Sequence, residues 1–302
     1  MRIKAALTVL ENSLDLHSCS DEERPDVKNF LKHYALFSIY LFRRMQLIND
    51  EGRLNGFARF AVSLGNFEPG NLLFIHILQN GCLHRLIKQR HDDEVSSEVI
   101  NDELVFILAH IFTNLPISNF LTESLKDAEE KPYLKPLPDD IKKSVDGYNN
   151  MVNEYIFNGV RLASGDGHVY DPAFDVTVKL AESLEISTHN LVPPFKKDFE
   201  LSNLVPFAAH EEKDHRGRKI NINSYAIDFW KAPSRKRLVT FNKLAVDEIW
   251  SLIRHFYRVL TSITNGLHKI ARPNDNLLSQ MIIIQKKYGE KFHSAFDMIE
   301  KK

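Results

Sequence analysis

Apolar residues recur at three- and four-residue steps through most of this chain, and that period commits it to helices. In DVKNFLKHYALFSIYLFRRMQLI, residues 26–48, Phe30, Tyr34, Phe37, Leu41 and Met45 keep the spacing that puts side chains on one helix face. Arg43 and Arg44 fall in the last turns, where cations suit the helix dipole. Asn49–Gly52 is turn chemistry, with room for two short extended pieces after it. A long helix, a tight turn and a brief extended piece is the pattern that ends a winged-helix unit.

Pro69-Gly70 opens a new helix, PGNLLFIHILQNGCLHRLI, because the missing proline N–H has no partner in a first turn anyway. SEVINDELVFILAHIFT, 97–113, predicts another. EEKPYLKPLPDD, 129–140, carries Pro132, Pro136 and Pro138 and reads as an extended connector. Helix resumes over 139–161. Asp171-Pro172 is an N-cap and first-turn pair for a helix reaching Leu184, and 187–199 is a second proline-bearing connector. Two long helices close the chain, Val246–Ala271 and Asn274–Ile299, split at Arg272-Pro273. A little β is expected near 50–62 and 218–223. The fold class is mainly α: a winged-helix-like segment over 1–64, a helical bundle over 65–200, and a helical extension over 201–302.

Composition excludes more than it assigns. The 302 residues hold 39 Lys+Arg against 40 Asp+Glu, so net charge names no partner and only local clusters can. The two cysteines, Cys19 and Cys82, make no disulfide framework. No apolar run approaches a membrane span. The N-terminal stretch has one short apolar run and no small-residue cleavage site, so it reads as mature protein, and the expected location is cytoplasmic.

Motifs for catalysis are missing. There is no GxxxxGK[ST], no GxGxxG after a strand and no GxSxG. HEEKDH, His210–His215, spaces its histidines five apart rather than four, which takes them off a shared helix face. A metal-dependent hydrolase using His210, Glu211 and His215 is therefore remote, and an exposed charged loop is the better reading. Cys82 and His84 are two apart and face different ways, which makes Cys82 a small core residue. Asp166 and His168 are turn residues.

One cluster stands out. From Lys213 to Arg237 the cations are Lys213, Arg216, Arg218, Lys219, Lys231, Arg235, Lys236 and Arg237, against only Asp214 and Asp228. Tyr225, Phe229 and Trp230 interleave with them. Lys and Arg can neutralise phosphates and exposed aromatics can stack bases. Asn223 or Ser224 would cap the helix that follows. Tyr225 and Phe229, however, are one turn apart, and that spacing more often marks a core stripe than a stacking platform. The candidate RNA-binding residues are Arg216, Arg218, Lys219, Lys231, Arg235, Lys236 and Arg237.

DHRGRKININSYAIDFWK, 214–231, resembles a segment near the C-terminus of the DExD/H-box helicase-sixty proteins, an antiviral branch of the Ski-two-like RNA helicases. Three stretches agree in the same order: 40–87, YLFRRMQLINDEGRLNGFARFAVSLGNFEPGNLLFIHILQNGCLHRLI; 134–155, LKPLPDDIKKSVDGYNNMVNEY; and 253–267, IRHFYRVLTSITNGL. The resemblance covers most of residues 30–270. It implies a winged-helix end, a ratchet-like helical domain lining a single strand, and a C-terminal extension. The two RecA-like domains of that family, with their ATP-binding and DExH motifs, have no counterpart in this sequence, so no catalytic residue carries over. The implied function is an RNA-binding accessory region of an ATP-dependent RNA helicase. Its partners would be single-stranded RNA and RecA-like domains in cis or in trans, with no membrane. No cofactor is expected in this chain, although ATP and Mg serve the full-length relatives. The alternative is a stand-alone helical protein-interaction module derived from a truncated helicase, docking through the apolar face of 26–48.

Overall fold

A computed structural model describes residues 41–67, 70–113, 115–125, 128–163 and 221–296, together with Ser20 and Ile39. Arg216, Arg218, Lys219, the HEEKDH string, the SGDGHVYDP turn and the Asp171-Pro172 helix start all lie outside the described residues. The chain divides into two compact units. One holds 1–56 and 149–208, and the other holds 57–148 and 209–302.

In the first unit, residues 41–44 are helical and the helix ends there, four residues short of the expected Ile48. Gln46 takes a left-handed conformation (φ 54°) and breaks it. Asn49 then organises a tight turn: its Oδ1 accepts from the Glu51 N–H at 3.0 Å and the Arg53 N–H at 2.9 Å. Ile48 and Leu54 pair across the turn in a single antiparallel bridge.

The second unit is helical. Its elements are α1 Ala58–Ser63, α2 Gly70–Gln79, α3 Cys82–Asp92, α4 Ser97–Phe112, α5 Asn119–Ser124, α6 Asp139–Ala163, α7 Tyr225–Lys231, α8 Arg235–Thr240, α9 Ile249–Ile270 and α10 Asn276–Phe296. Only residues 139–148 of α6 fall in this unit. The stretch expected as one helix from Pro69 is two. Gly81 at φ +67° interrupts it, a backbone state that glycine enters without a Cβ penalty.

Among the described residues no strand forms, and the expected β is reduced to isolated bridges; 58–62, expected to include extended chain, is the helix α1. Residues 221–224 run antiparallel to two neighbours at once. On one side the Asn223 N–H donates to the Leu115 carbonyl and the Ile117 N–H to the Asn221 carbonyl, at 2.9 and 2.8 Å. On the other, the Ser224 N–H donates to the Pro132 carbonyl and the Leu134 N–H to the Ile222 carbonyl, both at 2.9 Å. The proline connector therefore has a job: it supplies an extended edge that holds the entry to α7.

The core lies where α4, α7, α9 and α10 meet. α9 and α10 form an antiparallel hairpin, with Tyr257 stacked on Phe292 at 5.7 Å and Phe256 edge-on to Tyr288 at 5.3 Å. Phe229 of α7 meets Tyr288 at 5.5 Å. Tyr225, Phe229, Phe256 and Tyr288 are fully buried, and each buried side chain of this size contributes about 1.5–3 kcal/mol. α1 packs on the other flank of α9, where a Cβ at Gly266 would overlap the Phe60 ring. Cys82 is buried, as its spacing predicts, and His84 is exposed with Nε2 3.1 Å from Asp275 Oδ2.

Candidate nucleic-acid interface

The described cations of the 213–237 cluster sit on a short helical corner, α7 into α8. The aromatics between them are core, not surface. Tyr225 and Phe229 keep the one-turn spacing of a buried stripe, and Trp230 is buried beside them. Burial raises the Tyr225 phenol above its ordinary value of 10.0. None of the three can stack a base.

Trp230 anchors the corner. Its Nε1–H donates to Asp102 Oδ1 of α4 at 2.6 Å. Its ring lies parallel to Tyr288 of α10, with centroids 6.3 Å apart. Lys291 of α10 sits over the same ring at 4.5 Å and donates to the Trp230 carbonyl. Desolvation, the larger effect, lowers the Lys291 pKa, opposed by the nearby Asp102 carboxylate.

The N-terminus of α7 is held by side chains as well as by backbone. Ser224 is the N-cap residue, and Asn223 Oδ1 accepts the Tyr225 N–H at 3.0 Å. Asn242 donates to Asn223 Oδ1 at 3.0 Å and to Asp228 Oδ2 at 2.7 Å, and Ser224 donates to the same carboxylate oxygen at 2.6 Å. The α7 start is thereby tied to the chain after α8.

The four described cations differ in what surrounds them. Lys231 and Lys236 are exposed, and among the described residues neither has a carboxylate partner. Arg235 is half-buried, its guanidinium 5.5 Å from the centre of the Phe296 ring. Arg237 lies 4.5 Å over the Phe241 ring, and its Nη2 is 3.8 Å from Glu130 Oε2. Arg237 and Lys231 also border a cleft of about 820 Å³ between the proline connector and α4 and α7. Asp102, Glu103, Glu129, Glu130 and Asp228 line that cleft too. One side of the corner therefore faces carboxylates.

A second set of cations was not singled out in the sequence. Arg254, Arg258 and Lys269 are exposed on α9. The signal was available: between Glu248 and Asp275 there is no Asp or Glu. The three cations are four and eleven positions apart, too sparse to form a local cluster. Among the described residues no group of His, Cys, Asp and Glu is arranged to hold a metal ion, and no helix is long and apolar enough to cross a membrane.

The family described as "DDX60-like, winged helix domain" matches residues 1–62. An uncharacterized helicase of Caenorhabditis elegans is 33% identical over 299 residues, 98% of this chain and 17% of the relative. A human protein named probable ATP-dependent RNA helicase DDX60-like is 23% identical over 323 residues, 94% of this chain and 19% of the relative. An uncharacterized helicase of Dictyostelium discoideum is 21% identical over 310 residues, 87% of this chain and 16% of the relative. The chain thus spans less than a fifth of each of these relatives. No solved structure matches it.

Proposed function

We propose that this chain, a DDX60-like helicase C-terminal region, is an RNA-binding accessory part of an ATP-dependent RNA helicase. The motor would be RecA-like domains, in cis or in trans, which hold ATP and Mg. The part played here is to hold the nucleic acid, and the ligand is single-stranded RNA.

The observation that carries this reading is the α7–α8 corner. Lys231, Arg235 and Lys236 present positive charge without a carboxylate partner among the described residues, on elements fixed by Trp230 and by the 221–224 pairing. A rigid base makes such cations effective, because little ordering entropy remains to be lost on binding. Arg216, Arg218 and Lys219 precede this corner in sequence and extend the same positive run.

The test is anisotropy of a fluorescein-labelled single-stranded RNA with the full chain at two salt concentrations. Each phosphate contact on a single strand contributes a slope of about −0.7 in log K against log[salt]. Reversing Lys231, Arg235 and Lys236 to Glu should lower the slope by roughly 2 and weaken binding at low salt. Salt-independent binding, or a slope and affinity untouched by the triple reversal, would remove the corner from the interface.

A further inference from the structure

Among the described residues, α9 has one face that no other element covers. At 100° per residue, Trp250, Arg254, Arg258, Asn265, His268 and Lys269 fall within about a third of the helix circumference. All six are exposed. The opposite face is spent on packing: Ile253, Phe256, Leu260, Ile263 and Leu267 are buried, Thr264 Oγ1 lies 3.4 Å from the Met281 carbonyl, and Gly266 seats the Phe60 ring. From Trp250 to Lys269 the exposed stripe runs about 28 Å at the helix rise of 1.5 Å per residue.

Two features separate this stripe from an ordinary solvated face. Surface helices usually mix both signs of charge, often as i, i+4 pairs. Here no carboxylate occurs anywhere on α9, and among the described residues Arg254, Arg258 and Lys269 have no carboxylate partner. The second feature is Trp250, a large aromatic left 44% exposed. Arg254 covers it from one side, its Cζ 4.6 Å from the ring. An indole held in place by a cation presents a flat apolar surface beside a positive charge, the combination that suits a nucleobase next to its phosphate.

We propose that the outer face of α9 is a second RNA contact, with phosphates on Arg254, Arg258 and Lys269 and an unstacked base on Trp250. It rests on the RNA-binding reading above and adds a surface that shares no residue with the α7–α8 corner. The ligand is single-stranded, because a base inside a duplex has no free face to offer an indole. His255, on the border of this face with its ring 5.4 Å from Phe67, is held below its ordinary pKa of 6.5 by burial and then by Arg258.

The experiment uses the full chain, a fluorescein-labelled single-stranded RNA of about a dozen nucleotides, and three variants. Arg254→Glu with Arg258→Glu should weaken binding at low salt about tenfold and lower the salt slope by about 1.4, two phosphates' worth. Trp250→Ala should cost roughly fivefold to a hundredfold in affinity with little change in slope, since stacking is not electrostatic. The chain has two tryptophans, and Trp230 is buried, so RNA should quench the intrinsic fluorescence of the wild type and not that of Trp250→Ala. Arg254→Lys with Arg258→Lys should keep most of the affinity. Wild-type thermal melts in every variant confirm that surface changes are being compared.

The outcomes separate. If the wild type shows no salt-sensitive RNA binding, the functional reading itself falls. If it binds and the α9 variants match it in affinity, slope and quenching, RNA lies elsewhere and only this inference falls. Equal competition by duplex RNA would overturn the single-stranded assignment, and loss of an acidic protein partner with RNA affinity unchanged would overturn the ligand.

Discussion

The α7–α8 corner and the outer face of α9 carry similar positive charge in opposite surroundings. At the corner, Arg237 meets Glu130 and shares a cleft wall with five carboxylates. Along α9 no carboxylate is near in sequence. The corner's aromatics are buried under it, whereas α9 exposes its tryptophan. A local count of cations therefore ranks the corner first, and a count of what neutralises them ranks α9 first. For a polyanion the second count matters more, since a pre-paired cation must give up its partner before it can release a counterion.

The largest expected effect breaks the corner and leaves α9 to be read alone. Trp230→Ala removes the hydrogen bond to Asp102, the stack on Tyr288 and the seat of Lys291. Truncating a buried tryptophan costs about 3–5 kcal/mol, measured from urea unfolding. A loss below about 1 kcal/mol would mean that the corner is not anchored as described. Gly266→Ala attacks the other region. The new Cβ would overlap the Phe60 ring, which is buried and cannot swing away. Overpacking of this kind costs about 1–3 kcal/mol, offset by up to about 1 kcal/mol of improved helix propensity. Net destabilisation is expected, and a more stable protein would show that α1 yields to α9.

Much of this architecture is legible in the sequence, and the unread part has one cause. The period of 97–113, the connector at Pro132–Pro138 and the break at Arg272-Pro273 are local signals, and each appears where expected. Tyr225 and Phe229 read as core from their spacing alone. What sequence could not deliver was pairing across distance. Residues 221–224 take their partners from 115–117 and 132–134, and nothing local in either stretch announces the other. Arg237 looked free because its carboxylate, Glu130, lies more than a hundred positions away. Gly266 lies against Phe60, some two hundred positions earlier, and nothing local to either residue announces that contact. The stripe on α9 is the reverse case: its residues and its lack of acid are local, but they are sparse and regular rather than a dense cluster.

A smaller effect sharpens the comparison through two histidines. His76 and His255 are both held below their ordinary value of 6.5, each first by burial, with Arg258 adding to the shift of His255. A histidine with a depressed native pKa binds its proton more readily when unfolded. Stability should therefore be level above about pH 7 and fall as pH drops below 6.5, and only modestly, because both imidazoles are partly open to solvent. Urea midpoints across that range check the sign. RNA on α9 should raise the pKa of His255 by neutralising Arg258 and leave His76, beside Asn80 and Tyr148, unmoved. Equal shifts of both imidazoles by NMR would indicate a general effect of the polyanion.

The smallest effect tests whether compensation is what separates the two regions. Glu130→Gln removes the carboxylate facing Arg237 and keeps the side chain's shape. The pair is 3.8 Å apart and largely open to solvent, so its loss should cost well under about 1 kcal/mol of stability. The gain should appear in binding. An Arg237 no longer answered by Glu130 can take a phosphate, steepening the salt slope by up to about 0.7. Arg237→Gln in the same background should cancel that gain. If Glu130→Gln leaves both affinity and slope where they were, the acidic side of the corner is not what limits it. The contrast with α9 would then rest on Trp250 and the helix's uncovered face, and base stacking rather than charge would be what distinguishes the two surfaces.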